Sequence, residues 1–160
     1  MGRTDRYDTL RHIRRVAPST TIATSTSGMH LSPAMGQALV DEQLLDWQIF
    51  SVDGCDEATY GRYRVGGRFD VAFGNLVRCA RRASSTKLHV VWQYVVFAWN
   101  DDDDHLQRAI QLADDVGVPL QFDFARAWGR SRRRPEELRY PTPYLRPYTA
   151  LPGERRRDGR

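Results

Sequence analysis

Hydroxyl, carboxylate and amide groups lie where several hydrophobic, strand-like stretches of this chain end or are interrupted. Thr26 and Ser27 end one stretch, Ser51 and Asp53 end the next, and Gln93 interrupts the longest. The sequence has no GxGxxG, P-loop, HExxH or GxSxG motif, and its four histidines are scattered. We therefore name no catalytic residue and no metal ligand, and treat these side chains as candidates for binding.

A second candidate region follows the strand-like stretch that ends at Ser51. The segment FSVDGCDEATYGRYRVGG, residues 50–67, has the layout of a strand, a sharp turn, a short helix and a glycine pair. Gly66-Gly67 would suit either an anion-binding nest of backbone N–H groups or a plain turn between two helices. Taken alone, the pair favours the turn.

Two other patterns leave alternatives open. Burying the amide of Gln93 without partners costs a few kcal/mol, so either a backbone group or a ligand must satisfy it. The run Asp101 to Asp104 suits a hard cation, but it equally suits a helix start, where carboxylates cap N–H groups and favour the helix dipole. We favour the helix start.

The periodicity of apolar residues predicts alternating helices and strands. Helices are expected at 5–17, 33–45, 56–62 and 69–80, and a fifth follows residues 100–104 and ends at Gly117. Strands are expected at 21–26, 47–52, 88–99 and 118–124. Alternation at this spacing indicates an α/β fold with parallel strands, either a doubly wound sheet or part of a βα barrel, and in both folds ligands bind at the carboxyl ends of the strands.

Composition and charge restrict the class of protein. The N-terminus is charged and polar, and the longest apolar run falls far short of the ~20 residues that span a bilayer, so we expect a cytoplasmic protein with no membrane association. Two cysteines, Cys55 and Cys79, are not expected to form a disulfide there.

Positive charge is concentrated at the C-terminus. Residues 126–160 contain eleven arginines and four acidic residues, a net charge of +7, whereas the whole chain carries +4. This Arg/Pro-rich tail could bind RNA or acidic lipid through its arginine clusters, but a disordered extension is the reading we favour.

Three longer segments together resemble the radical S-adenosylmethionine family, particularly its peptide- and sugar-modifying members. ATSTSGMHLSPAMGQALVDEQLLDWQIFSVDG resembles the family's third strand, TTNG turn, helix and fourth strand ending in S-[IV]-D-G. DEATYGRYRVGGRFDVAFGNL resembles ETYERYRVGGDFERVLENI, and VVWQYVVFAWNDDDDHLQRAIQLADDVGV resembles the fifth strand with its helix. The resemblance covers residues 8–124.

The resemblance implies a fold and a chemistry. Residues 5–125 would form strands three to six of a partial parallel βα barrel, followed by the tail at 126–160. The family cleaves S-adenosylmethionine reductively with a [4Fe–4S] cluster, and the resulting 5′-deoxyadenosyl radical abstracts hydrogen from a peptide or small-molecule substrate.

Site residues carry over by position. Thr26 and Ser27 match the TTNG turn near the methionyl part of S-adenosylmethionine, and Ser51 and Asp53 match the strand end near its ribose and amino-acid ends. Arg64 would contact the carboxylate of the cofactor. Gln93 matches a polar inward residue of the fifth strand.

The departures from the family concern the cluster. The family's CxxxCxxC motif is absent, and Cys55 and Cys79 cannot replace three thiolates in one loop. The resemblance makes the chain an N-terminally truncated piece whose missing half would be a partner, inactive alone. Two alternatives are a non-catalytic module that binds S-adenosylmethionine or a nucleotide, and nucleic-acid binding through the tail, which we do not favour.

Overall fold

A computed structural model of the chain describes residues 7–126 and 128–134. Its helices and strands follow the order α1 (Asp8–Val16), β1 (Ala23–Thr26), α2 (Pro33–Asp41), β2 (Trp47–Ser51), α3 (Glu57–Tyr63), α4 (Phe69–Ala83), β3 (His89–Val96), α5 (Asp103–Val116), β4 (Leu120–Phe124). This order is the predicted one. The start of the first predicted helix and most of the predicted tail lie outside the described residues.

The four strands form one parallel sheet in the order β1-β2-β3-β4. The predicted α/β class with parallel strands and crossover helices is therefore confirmed. Consecutive strands are neighbours, so every crossover helix connects adjacent strands, and right-handed crossovers place such helices on one side of a sheet. The carboxyl ends of all four strands meet at one edge, which we call the carboxyl edge.

The two faces of the sheet carry different side chains. The even-numbered strand residues Phe50, Trp92 and Tyr94 are fully buried in one hydrophobic core together with helix residues such as Leu76 and Leu106. Odd-numbered strand residues point to the opposite face, because side chains alternate along a strand. We call this second face the polar face, since the polar candidates Ser51, Asp53, Gln93 and Asp123 all have odd numbers.

Local caps determine where several helices begin. Ser32 accepts a hydrogen bond from the N–H of Met35, and the helix α2 then starts with proline at its first position. Asp56 caps α3 and Asp102 caps α5 in the same way. The predicted helix start within Asp101 to Asp104 is therefore confirmed.

Two predicted ends were too long. The helix α2 ends at Asp41 and not near residue 45, because the chain turns at Gln43, whose φ is 50°, and this turn buries Leu44 and Leu45. Strand β3 ends at Val96 and not at residue 99, because the next residues fold into a turn.

Two further observations bear on the expected class of protein. No helix within the described residues is long and apolar enough to cross a membrane. Cys55 and Cys79 are both buried and both free, as predicted.

Candidate functional site

A row of polar side chains crosses three neighbouring strands on the polar face. The hydroxyl of Ser51 on β2 donates to Gln93 Oε1 on β3 over 2.9 Å, and Gln93 Nε2 donates to Asp123 Oδ2 on β4 over 2.5 Å. The register makes this row possible, because Ser51 lies directly beside Gln93. Gln93 is only partly buried, and its amide is satisfied by two side chains. Neither of the partners considered from the sequence, a backbone group or a ligand, is therefore required.

Asp53 and Arg64 form an ion pair next to this row. Arg64 Nε donates to Asp53 Oδ2 over 3.0 Å, its Nη2 lies 2.7 Å from the same oxygen, and the N–H of Val95 donates to Oδ1 over 3.2 Å. The Asp53 side chain is fully buried, whereas that of Arg64 is 31% exposed. The pair therefore joins a buried acceptor to a donor that solvent can reach.

The electrostatic balance at Asp53 is incomplete. Burial raises the pKa of Asp53, and the nearby Asp123 carboxylate raises it further, whereas Arg64 and the Val95 N–H oppose the rise without cancelling it. Any additional positive charge beside Asp53 would stabilise its ionised, carboxylate form. This corner of the polar face therefore favours a cationic group.

Asn100 fixes the ends of β2 and β3 to each other. Its Nδ2 donates to the carbonyl oxygens of Asp53 and Val95 over 3.2 Å and 3.1 Å, and its Oδ1 accepts from the N–H of Phe97 over 2.6 Å. The residue is fully buried. These three hydrogen bonds turn the chain after β3 and hold Asp53 in position.

Three glycines shape the segment between β2 and α4. A side chain on Gly54 would place its Cβ 2.5 Å from the backbone nitrogen of Tyr60, so α3 can approach the strand end only because this residue is glycine. Gly66 has a φ of +75°, and the N–H of Gly67 donates to the carbonyl of Arg64 over 2.6 Å. The glycine pair therefore forms a turn between α3 and α4, the alternative that the sequence favoured.

Thr26 and Ser27 lie at the end of β1, apart from this row. The Thr26 hydroxyl oxygen accepts from the N–H of Gly28 over 3.1 Å, and the Ser27 carbonyl accepts from the Tyr60 hydroxyl over 3.4 Å. No hydrogen bond within the described residues joins the side chains of Thr26 or Ser27 to Ser51 or Asp53. The structure thus brings four of the six predicted site residues together and leaves these two at the neighbouring strand end.

We call the group Ser51, Asp53, Arg64, Gln93 and Asp123 the edge network. Asp123 and Asn100 both lie at strand ends expected from the sequence, but neither was among the predicted site residues. The signal for Asp123 was its odd-numbered position near the end of β4, which becomes informative only once the strand register is known.

The cysteines lie on the opposite side of the sheet from the edge network. Cys55 and Cys79 both belong to the hydrophobic core that contains the helices. Burial raises the pKa of each thiol to about 11, with the Asp56 carboxylate adding to the rise at Cys55. Such protonated, buried thiols are poor nucleophiles.

The two thiols do not fit a [4Fe–4S] cluster of the kind the resemblance implies. That cluster takes three closely spaced cysteine ligands, and this sequence contains two cysteines in all. They lie on separate elements, Cys55 after β2 and Cys79 within α4. No cluster chemistry is therefore assigned to the residues of this chain.

Comparison with known proteins does not add a family. No protein-family model matches the chain, and no curated protein matches it. The resemblance to the radical S-adenosylmethionine family thus rests on the sequence segments quoted above and stays a prediction.

Proposed function

We propose that this chain is a radical S-adenosylmethionine-type domain, corresponding to strands three to six of a partial βα barrel, that binds S-adenosylmethionine at its carboxyl edge. A parallel sheet of consecutive neighbouring strands, with its helices packed in one core, supports this architecture over a doubly wound sheet. The parent family uses the bound cofactor for radical modification of a peptide or small molecule. Alone, this chain binds the cofactor without cleaving it.

The edge network is the observation that carries the proposal. Ser51 uses its hydroxyl hydrogen to bond Gln93, so its oxygen can accept but not donate another hydrogen bond. Asp123, which is partly exposed, adds a carboxylate oxygen, and the buried charge of Asp53 would be stabilised by an additional cation beside the Arg64 pair. S-adenosylmethionine carries an ammonium and a sulfonium, both cationic, and ribose hydroxyls that can donate to these acceptors.

Arg64 supplies the complementary charge. A guanidinium has five N–H donors in a planar fork. Nε and Nη2 contact Asp53, and this geometry leaves the Nη1 edge for a bidentate contact with a carboxylate. An amino-acid end, with its ammonium and carboxylate, therefore matches the acceptors and the arginine together.

Aromatic side chains beside Arg64 offer stacking surfaces for an adenine. Tyr63 lies 4.7 Å from Phe97 between ring centroids, and the Arg64 guanidinium lies 4.9 Å from the Tyr63 ring. Tyr63 and Trp128 are 40% and 65% exposed. Base–aromatic stacking contributes about 1–3 kcal/mol per base, which supports an adenosyl ligand over a free amino acid.

Ligand-dependent stabilisation of the full chain tests the proposal. We expect S-adenosylmethionine to raise the melting temperature and to give heat in isothermal titration calorimetry, and ATP to do neither. Ser51→Ala should weaken binding at least fivefold, because it removes a hydroxyl that can contact the ligand. The matched control is Ser85→Ala, at an exposed serine in the turn before β3, at the opposite edge of the sheet, and it should leave binding unchanged.

The binding results distinguish a site specific for S-adenosylmethionine from a general nucleotide-binding site. Equal binding of ATP and S-adenosylmethionine would favour the general nucleotide-binding alternative and overturn the specific one. No stabilisation by either compound would refute both. Anaerobic reconstitution with iron and sulfide should yield no 5′-deoxyadenosine from this chain alone, and its formation would contradict the expected lack of cleavage.

A further inference from the structure

Three side chains with metal-ligating atoms meet on the helix side of the carboxyl edge. One ligand atom each of Cys55, Asp56 and His105 lies within 4.8 Å of the other two. Cys55 and Asp56 follow β2, and His105 lies in the first turn of α5, which follows β3. The parallel pairing of β2 with β3 therefore brings together residues that are far apart in the sequence.

The geometry of Asp56 leaves one carboxylate oxygen directed at the histidine. Its Oδ1 caps α3, accepting from the N–H of Thr59 over 2.7 Å and from the Thr59 hydroxyl over 2.8 Å. Its Oδ2 lies 3.9 Å from His105 Nε2, too far for a hydrogen bond. Two ligands bonded to one Zn²⁺ at about 2.0–2.2 Å lie somewhat over 3 Å apart in a tetrahedral site, so a modest contraction would let this pair share an ion.

A second carboxylate orients the histidine ring. Asp102 Oδ2 lies 2.5 Å from His105 Nδ1. A carboxylate at Nδ1 holds the proton there and leaves the lone pair of Nε2 for a metal, which is the usual arrangement around metal-binding histidines. Asp102 is itself fixed, because its Oδ1 caps α5 by accepting from the N–H of His105 over 3.0 Å.

The donor set selects the class of metal. A thiolate, an imidazole and a carboxylate suit Zn²⁺ or a similar divalent transition metal, whereas Mg²⁺ and Ca²⁺ prefer oxygen ligands alone. Cys55 is buried, while the side chains of Asp56 and His105 are 50% and 30% exposed. An ion held by these three residues would keep one coordination position on the solvent side.

We propose that Cys55 Sγ, Asp56 Oδ2 and His105 Nε2 bind a divalent transition metal, with Zn²⁺ as the preferred ion, and that Asp102 positions His105 for this role. The remaining coordination position takes water or a ligand atom. The site lies on the other side of the sheet from the edge network, so it is independent of S-adenosylmethionine binding.

Titration of the untagged, reduced full chain with Co²⁺ tests this site, because Co²⁺ reports thiolate ligation through a charge-transfer absorption. We expect one Co²⁺ per chain with a thiolate band, displaced by Zn²⁺. Cys55→Ala should abolish the band. Asp102→Asn should weaken metal affinity by about 10–100-fold while keeping the band, as loss of an outer partner of a ligating histidine does.

Matched variants keep the test decisive. Cys79→Ala removes the other buried cysteine, and His30→Gln removes an exposed histidine elsewhere, so both should bind Co²⁺ like the parent chain. If Cys55→Ala fails to fold, His105→Gln, at a partly exposed position, should still fold and lose at least tenfold in affinity. Absence of the band in the parent chain, or a band that persists in Cys55→Ala, would overturn the proposal.

Discussion

The two sides of the turn after β2 hold their polar groups in opposite ways. On the polar face, Ser51, Gln93 and Asp123 bond to one another, and Asp53 bonds to Arg64. On the helix side, no hydrogen bond within the described residues joins Cys55, Asp56 and His105 to one another, although their ligand atoms converge. We call these three the helix-side triad.

One site therefore has side chains that already bond to one another, whereas the ligand atoms of the other would be joined only through a bound ion. Buried polar groups that satisfy one another hold a fixed shape without a ligand. Converging ligand atoms without mutual hydrogen bonds gain their main interaction only when a cation lies between them. We therefore expect the edge network to contribute to stability in the free protein, and the helix-side triad to contribute chiefly when metal is bound.

The largest effect is expected from Gly54→Ala, because Gly54 separates the two sides. The new Cβ would lie 2.5 Å from the Tyr60 nitrogen and 2.7 Å from Thr59 Oγ1, so α3 must move. Overpacking of this kind costs roughly 3 kcal/mol of unfolding free energy, measurable by urea denaturation. Because α3 carries the cap at Asp56 and leads to Arg64, both sites should weaken together.

Gly61→Ala provides the control for this change. Gly61 lies within α3, the helix that Gly54 allows to approach, and nothing comes within 4 Å of its Cβ position. Alanine there should stabilise the protein by up to about 1 kcal/mol, since glycine is a poor helix former. Equal stabilities of the two variants would show that α3 does not depend on close approach at Gly54.

An intermediate effect is expected from Asp53→Asn. The variant keeps an acceptor for the Val95 N–H but removes the charge that pairs with Arg64. We expect a loss of about 1 kcal/mol of unfolding free energy, because the weaker bonding to Arg64 is partly offset by relief of the desolvation that raises the Asp53 pKa. Urea denaturation measures the change.

The exposed pair between Arg68 and Asp70 gives the comparison for Asp53→Asn. Both of its side chains are more than half exposed, so Asp70→Asn should change stability by less than about 0.5 kcal/mol. If Asp53→Asn costs no more than this, the edge network does not stabilise the free protein and the contrast between the two sides fails.

The smallest effect on the free protein is expected from Asp102→Asn. Burial raises the pKa of Asp102, but hydrogen bonds from the His105 backbone and ring outweigh this, so its pKa lies below the usual value. A lowered carboxyl pKa contributes stability above its unfolded value of about 3.9, and this is lost as pH falls through the lower folded value.

The Asp102 side chain is 54% exposed, and asparagine still caps a helix. We therefore expect a cost of at most about 0.5 kcal/mol at neutral pH that disappears in acid, followed by thermal melts from neutral pH downwards. A cost that grows in acid would contradict the assignment. The same variant should bind Co²⁺ about 10–100-fold more weakly, so its effect on metal binding is much larger than its effect on stability.

Much of the carboxyl edge followed from the sequence alone. Alternating helices and strands predict parallel pairing, and parallel strands end together, so Ser51 and Asp53 were expected at the carboxyl edge. Gln93 was expected inside a strand, and its place beside Ser51 follows from the register of β2 with β3. Arg64 was joined to them only through the family resemblance. In the structure Arg64 lies beside Asp53 because α3 is short and the chain after it returns to the end of β2.

The remainder depended on contacts that no local pattern encodes. Asp123 became a partner of Gln93 through the register of β3 with β4, and β3 ended early because Asn100 turns the chain. His105 joined Cys55 only through the pairing of β2 with β3. Spacing along the chain can reveal metal ligands within one loop. It gives no signal when the ligands come from separate elements, as with the turn after β2 and the start of α5.

The chemical stability of the Asn100 amide matters for the carboxyl edge, because this amide bonds to the chain after both β2 and β3. Spontaneous deamidation, an ageing reaction of asparagine, would replace its amide nitrogen with oxygen. That nitrogen donates to the carbonyl oxygens of Asp53 and Val95, and the new carboxylate oxygen would repel both. One ageing event, altering a single heavy atom, would therefore loosen the turns that follow β2 and β3, where the two proposed sites begin.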